Sequence, residues 1–165
     1  MSAITRRWQS LFFHPAVGVA ARVLLGGLFA VTGVIKLIEP AENFMAAIHA
    51  YHLVPSWMER PMAETLPWVE MASGLLLLLG LLTRVSLMIV ALQLAVFTAA
   101  LGSTLLRGIS LDDCGCFGSM GFKESNGVAF VRNLVLIGCV VRLVLEREPR
   151  WALDRWLPRP PGKGD

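Results

Sequence analysis

At 165 residues the chain is long enough for one domain, yet 55% of it is hydrophobic and only 16% charged, whereas soluble domains carry about 25% charged residues. That balance excludes an ordinary water-soluble globule and makes lipid the solvent for much of the surface. The net charge of +3 gathers at the chain ends, which argues for membrane topology rather than nucleic-acid binding. Three cysteines are too few for a disulfide-dense secreted scaffold.

Residues 1–15 read as a cytoplasmic N-terminal segment, with Arg6 and Arg7 ahead of the first apolar run. That run covers about 17–37, close to the roughly 17 to 25 residues a helix needs to cross a bilayer. Only Arg22 near its start and Lys36 near its end interrupt it. A signal-peptide core is about 7 to 15 residues long, so this run predicts a retained helix. The stretch AENFMAAIHAYH (41–52) reads as a short helix that puts His49 and His52 on one face. A second span is predicted at about 66–82, a third at about 85–106 and a fourth at about 128–145. Only Thr83 and Arg84 separate the second from the third, which implies a tight antiparallel hairpin. Residues 147–165 form a basic tail whose end, PRPPGKGD, is expected to be disordered. The fold class is all-α: a polytopic membrane protein whose domain, 16–146, is an antiparallel four-helix bundle.

Orientation follows from the Lys and Arg bias of the flanks. One set of ends carries Arg6, Arg7, Arg84, Arg142, Arg147, Arg150, Arg155, Arg159 and Lys163. The opposite set carries Lys36, Arg60, Arg107 and Lys123 among the acids Glu39, Glu42, Glu59, Glu64, Asp112, Asp113 and Glu124. The first set is expected in the cytoplasm with both termini, so the segment between the third and fourth spans faces the exterior.

That segment contains LDDCGCFG (111–118), in which Gly115 alone separates Cys114 from Cys116. Thiols persist as disulfides outside the cytoplasm. Cysteines two apart can reach the Cα separation of about 4.4–6.8 Å that a disulfide requires. Gly115 tolerates the backbone angles of so small a ring, and Gly118 adds freedom beside it. A loop this short gains little stability from closure, whereas a strained, exposed disulfide is easily reduced and suits thiol exchange. Phe117 is placed to enter the interface or meet a partner. Two other readings stand beside exchange: an inert disulfide, and a copper or other thiophilic metal site built from Cys114 and Cys116 with His49 and His52. Cys139, deep in the fourth span, reads as packing.

Glu70, Arg132 and Lys36 all lie shallow in their spans on the side of the cysteine segment. Ionisable residues inside a membrane tend to face the bundle and to pair, so Glu70 is expected to bond Arg132 or Lys36. The alternative for the two cations is snorkelling to the interface. Gly26, Gly27 and Gly33 are candidates for close helix contact, and Gln93 and Thr98 for interhelical hydrogen bonds. Arg22 and Arg84 read as inner-boundary anchors, and Trp57 and Trp68 as members of the outer aromatic belt.

The motifs RVLLGGLFAVTGVIKLIEP (22–40), LPWVEMASGLLLLLGLLTR (66–84) and LDDCGCFG together resemble the MauE family of methylamine-utilisation proteins, within the broader DoxX-like four-helix membrane proteins. The resemblance runs from about Arg22 to Arg142, and CGCFG is its most specific element. It implies a bacterial inner-membrane protein that assists maturation of methylamine dehydrogenase, whose small subunit is a disulfide-rich secreted client, together with a thioredoxin-like, MauD-like partner. On the matching positions it makes Cys114 and Cys116 the redox pair and Lys36, Glu70 and Arg132 its polar support.

The sequence therefore predicts a thiol–disulfide exchange protein outside the cytoplasm, with the lipid bilayer as its surroundings and no nucleic-acid partner. A quinone held between helices near Arg132 is the electron acceptor this reading allows, though no motif specifies one. Two rival functions are a non-catalytic membrane scaffold for a maturation factor and a metal-handling protein.

Overall fold

A computed structural model describes residues 15–109 and 125–145. The described residues form five helices: α1 (Pro15–Ile38), α2 (Ala41–Ala50), α3 (Ser56–Leu79), α4 (Thr83–Leu106) and α5 (Asn126–Leu145). Four of them, α1, α3, α4 and α5, are long and apolar enough to cross a membrane, so the chain is a multi-pass membrane protein. The outward faces remain apolar: Val31, Met88, Leu92, Val131, Val135 and Val144 are all exposed. In water such a surface would drive association, while in lipid it is at home.

The four long helices run up and down around a common core. Gly26 lies against Leu78 and Gly33 against Met71, so α1 and α3 are antiparallel neighbours. Ser73 meets Gln93 across α3 and α4, and Asn126 meets Thr104 across α4 and α5. Leu25, Phe29, Leu77, Leu87, Val90, Leu94, Leu136 and Val140 interlock as the main apolar core, drawn from all four long helices. The short α2 packs Phe44 and Ile48 against Ala63 of α3, at the end of the bundle from which residues 110–124 emerge.

The second span differs from its sequence expectation. Helix α3 begins at Ser56, not near 66, and stops at Leu79. Glu59, Arg60, Pro61, Glu64 and Pro67 depress the apolar signal in this stretch, yet the helix accommodates them. The Arg60 guanidinium bonds Glu64 one turn on at 3.0 Å, and the Thr65 hydroxyl donates to the Pro61 carbonyl at 2.7 Å. Pro67 is buried against neighbouring helices, the setting in which transmembrane prolines are tolerated. The hairpin turn also shifts. Gly80 takes a left-handed φ of 69°, and the Leu81 N–H reaches back to the Leu76 carbonyl at 2.9 Å, a glycine-terminated helix end. Thr83 and Arg84 therefore open α4 instead of forming the turn.

Close approach of α1 and α3 rests on glycine. A Cβ on Gly74 would lie 2.3 Å from the Ala30 nitrogen and 2.8 Å from the Gly26 carbonyl oxygen. One on Gly33 would lie 2.5 Å from the Met71 nitrogen. Backbone atoms cannot rotate away, so these helices must separate to admit a methyl group. Without a hydrophobic drive between helices in lipid, such close packing is a principal source of association. Gly27, by contrast, faces open space. Gly74→Ala should lower stability by about 1–3 kcal/mol, the range for overpacking, while Gly27→Ala should leave it unchanged or slightly raised. Thermal unfolding of the detergent-solubilised variants measures both.

Candidate functional site

The polar cluster is assembled where α1 ends. Lys36 occupies the last turn of α1, where the helix dipole favours a cation. Its ammonium lies 2.9 and 2.8 Å from the two carboxylate oxygens of Glu70 on α3. Both residues are sealed from solvent, at 4% and 2% exposure. Of the two candidate partners for Glu70, the structure selects Lys36. Snorkelling is overturned for this lysine, because the pair pulls its head group inward. Two aromatic rings complete its surroundings: the Phe44 centroid is 4.4 Å from Nζ and the Phe97 centroid 5.3 Å, within reach of cation–π attraction. Helix α2 is thus held over the pair by Phe44.

Arg132 shares this place. A cavity between α1, α3, α4 and α5 is lined by Thr32, Lys36, Glu70, Arg132 and Asn133, with Leu28, Phe29, Leu94, Phe97 and Leu136 as apolar walls. All three ionisable side chains singled out from the sequence meet around one space. Asn133, 3% exposed, and Thr32 were not singled out. The signal for Asn133 was its position beside Arg132, which makes two consecutive polar residues inside an apolar helix.

Cys114, Gly115, Cys116, Phe117 and Gly118 lie outside the described residues, as do Asp112 and Asp113. Their segment nevertheless has a defined neck. The Asn126 side-chain amide donates to the Ile109 carbonyl at 2.8 Å and to the Thr104 hydroxyl at 3.1 Å. The Arg107 guanidinium donates to the Tyr51 carbonyl at 2.6 Å. The chain therefore leaves α4 and returns to α5 at one pinned point, which is also tied to the turn after α2.

Among the described residues no three His, Cys, Asp or Glu side chains converge as a metal site. His49 and His52 do come together, edge to face with ring centroids 5.4 Å apart. His49 Nδ1 is engaged at 2.8 Å by the Glu59 carboxylate, a contact that fastens α2 to α3. Cys139 packs against the main core. Arg22 is corrected from a boundary anchor to a residue buried inside the bundle, at 6% exposure. Ser73 donates to Gln93 across helices at 3.3 Å, but the Thr98 hydroxyl bonds the Leu94 carbonyl of its own helix at 2.6 Å.

A buried pair is costly to break because the survivor is left charged and unpaired, by about 3–5 kcal/mol. Replacing both members with apolar groups of similar size is often neutral. Lys36→Met alone should destabilise the protein by about that amount, and Lys36→Met with Glu70→Leu should recover most of the loss. A double-mutant cycle of thermal unfolding in detergent checks the coupling.

A family model described as Methylamine utilisation protein MauE matches residues 14–146. The chain is 35% identical over 124 residues to the Methylamine utilization protein MauE of Paracoccus denitrificans, covering 74% of this chain and 66% of that protein. It is 30% identical over 116 residues to the protein of that name from Methylorubrum extorquens, covering 70% and 61%. For Methylophilus methylotrophus the figures are 27% over 108 residues, covering 66% and 56%. The chain thus spans about three-fifths of the length of these curated relatives. No solved structure matches it. Since the matched region begins just before α1 and ends just after α5, taking in all four membrane helices and the cysteine segment, the chain belongs to the MauE family.

Proposed function

We propose that this chain is a membrane thiol–disulfide exchange protein of methylamine utilisation, acting through Cys114 and Cys116. The observation that carries the reading is the placement of CGC in the segment that joins α4 to α5, whose neck is held by Asn126. A ring of two cysteines and one glycine gains little as a staple but exchanges readily. The names of the relatives supply the methylamine context. The client of this reading is a disulfide-rich secreted protein such as the small subunit of methylamine dehydrogenase, and the partner is thioredoxin-like.

The chemistry is an exchange without net oxidation. A thiolate of one partner attacks a sulfur of the other's disulfide, giving a mixed disulfide and releasing one thiolate. The second thiol of the attacking pair then displaces the mixed bond. One disulfide and two thiols have changed places, and the protons stay with the thiols. Charge bias puts this reaction on the exterior side of the cytoplasmic membrane, where disulfides persist.

Two measurements test the reading. Cys114→Ser and Cys116→Ser variants should accumulate a mixed disulfide with a thioredoxin-like protein or the client, seen on non-reducing gels, and the double variant should stop client maturation. Normal maturation by the double variant, with no partner captured by either single one, overturns exchange and favours a scaffold. A membrane-impermeant maleimide should label reduced Cys114 and Cys116 in intact spheroplasts; labelling only after the membrane is opened would invert the orientation.

A further inference from the structure

We propose that the cavity between α1, α3, α4 and α5 is a binding site for fixed water, held inside the membrane span by Asn133 and Thr32. Neither Cys114 nor Cys116 takes part, so the site stands whether or not the exchange reading does.

Asn133 creates the need for an occupant. It belongs to the buried face of α5, roughly 10 Å along the helix axis from Asn126 at 1.5 Å per residue. It is 3% exposed and lines the cavity, and its side chain forms no hydrogen bond within the described residues. A primary amide carries two N–H donors and an acceptor oxygen with two lone pairs, and leaving such groups buried and unpaired is costly. Asn126, on the same face, has protein partners in the Ile109 carbonyl and the Thr104 hydroxyl. Asn133 has open space beside it instead. Lipid tails offer no hydrogen bonds at this depth, so the occupant must bring donors and acceptors of its own.

Size narrows the choice. The cavity has about 40 Å³ of room for water, and one molecule needs about 10–15 Å³ on that measure, so about two or three fit. Anything as large as an aromatic ring is excluded. A buried water makes about three hydrogen bonds, and the lining supplies them. The Asn133 amide both donates and accepts. The Thr32 hydroxyl, 7% exposed, donates to the Phe29 carbonyl at 3.2 Å and keeps lone pairs that accept a water O–H. Each water also has the next as a neighbour.

Lys36 and Glu70 lie on the same lining but engage each other through both carboxylate oxygens. The water is therefore held by Asn133 and Thr32 rather than by the ion pair. Thr32 stands on α1 and Asn133 on α5, so the water bridges two helices. Polar contacts between helices in lipid act as such links, and a bridging water serves nearly as well as a direct bond.

X-ray radiolysis of the detergent-solubilised protein in heavy-oxygen water tests the site, because hydroxyl radicals formed from a bound water mark the side chains it touches. Leu94 and Leu136, 2% and 5% exposed, line the cavity and should be marked. Leu25 and Val90 belong to the same core at 0% exposure and should not be. Asn133→Leu should reduce the marking of Leu94 and Leu136 to the level of Leu25. Thr32→Val, which keeps the shape and removes the hydroxyl, should reduce it part-way, and Asn133→Ser, small and still polar, should retain it. A variant that unfolds exposes Leu25 and Val90 to marking as well; if Asn133→Leu does so, Thr32→Val decides. Leu94 and Leu136 marked no more than Leu25 and Val90 would mean a dry cavity and overturn the site. Marking that persists undiminished in folded Asn133→Leu and in Thr32→Val overturns it too, as does its loss from folded Asn133→Ser.

Discussion

The Lys36–Glu70 pair is the constraint around which this bundle is arranged. Two opposite charges at 2.8 Å inside an apolar helix pair cost several kcal/mol of desolvation each. The arrangement is stable only where that cost is offset by tight geometry and additional contacts. Here α1 and α3 approach until Gly33 meets the backbone of Met71, next to Glu70 in the chain. The glycines therefore set the separation at which a lysine on one helix can reach both oxygens of a glutamate on the other. Enlarging a glycine would do more than unpack two helices, since it would also pull the charges apart.

The same pair explains why α2 lies across the bundle end. Phe44 covers the Lys36 ammonium, Ile48 and Phe44 pack on Ala63, and the His49–Glu59 contact fastens the far end of the short helix to α3. An ion pair left open at this level would be hydrated and weak. Covered by an aromatic ring and a helix, it is dry, so its interactions are stronger and its geometry is fixed.

Much of this architecture is legible in the sequence because lipid imposes a simple rule. Runs of apolar residues of bilayer length mark α1, α4 and α5 to within two residues of their expected ends. The start of α3 is hidden because Glu59, Arg60, Pro61 and Glu64 carry the marks of a loop, and only the pairing of Arg60 with Glu64 and tertiary support make them helical. Lys36, Glu70 and Arg132 stand out because charge inside a span is expensive. Which of them pair depends on the rotation of α1 against α3, and hydropathy carries no information about that. Asparagine gives a weaker signal than charge, so Asn126 and Asn133 emerge only from the structure. Thr98 shows the opposite error, for a hydroxyl in a membrane helix can satisfy itself on its own backbone and need not face a partner.

Helix α5 joins the two halves of the candidate site. Its buried residues are Asn126, Ala129, Asn133, Leu136, Val140 and Arg142, of which the first five follow the three- and four-residue spacing of a single helix face. That stripe begins at the neck of the cysteine segment, where Asn126 holds Ile109. It passes the cavity at Asn133 and Leu136 and ends in the main core at Val140. An α-helix has little freedom to stretch, because every turn is closed by its own backbone hydrogen bonds. A shift or rotation of α5 at its neck is therefore carried to the level of Asn133 and Leu136 with little loss.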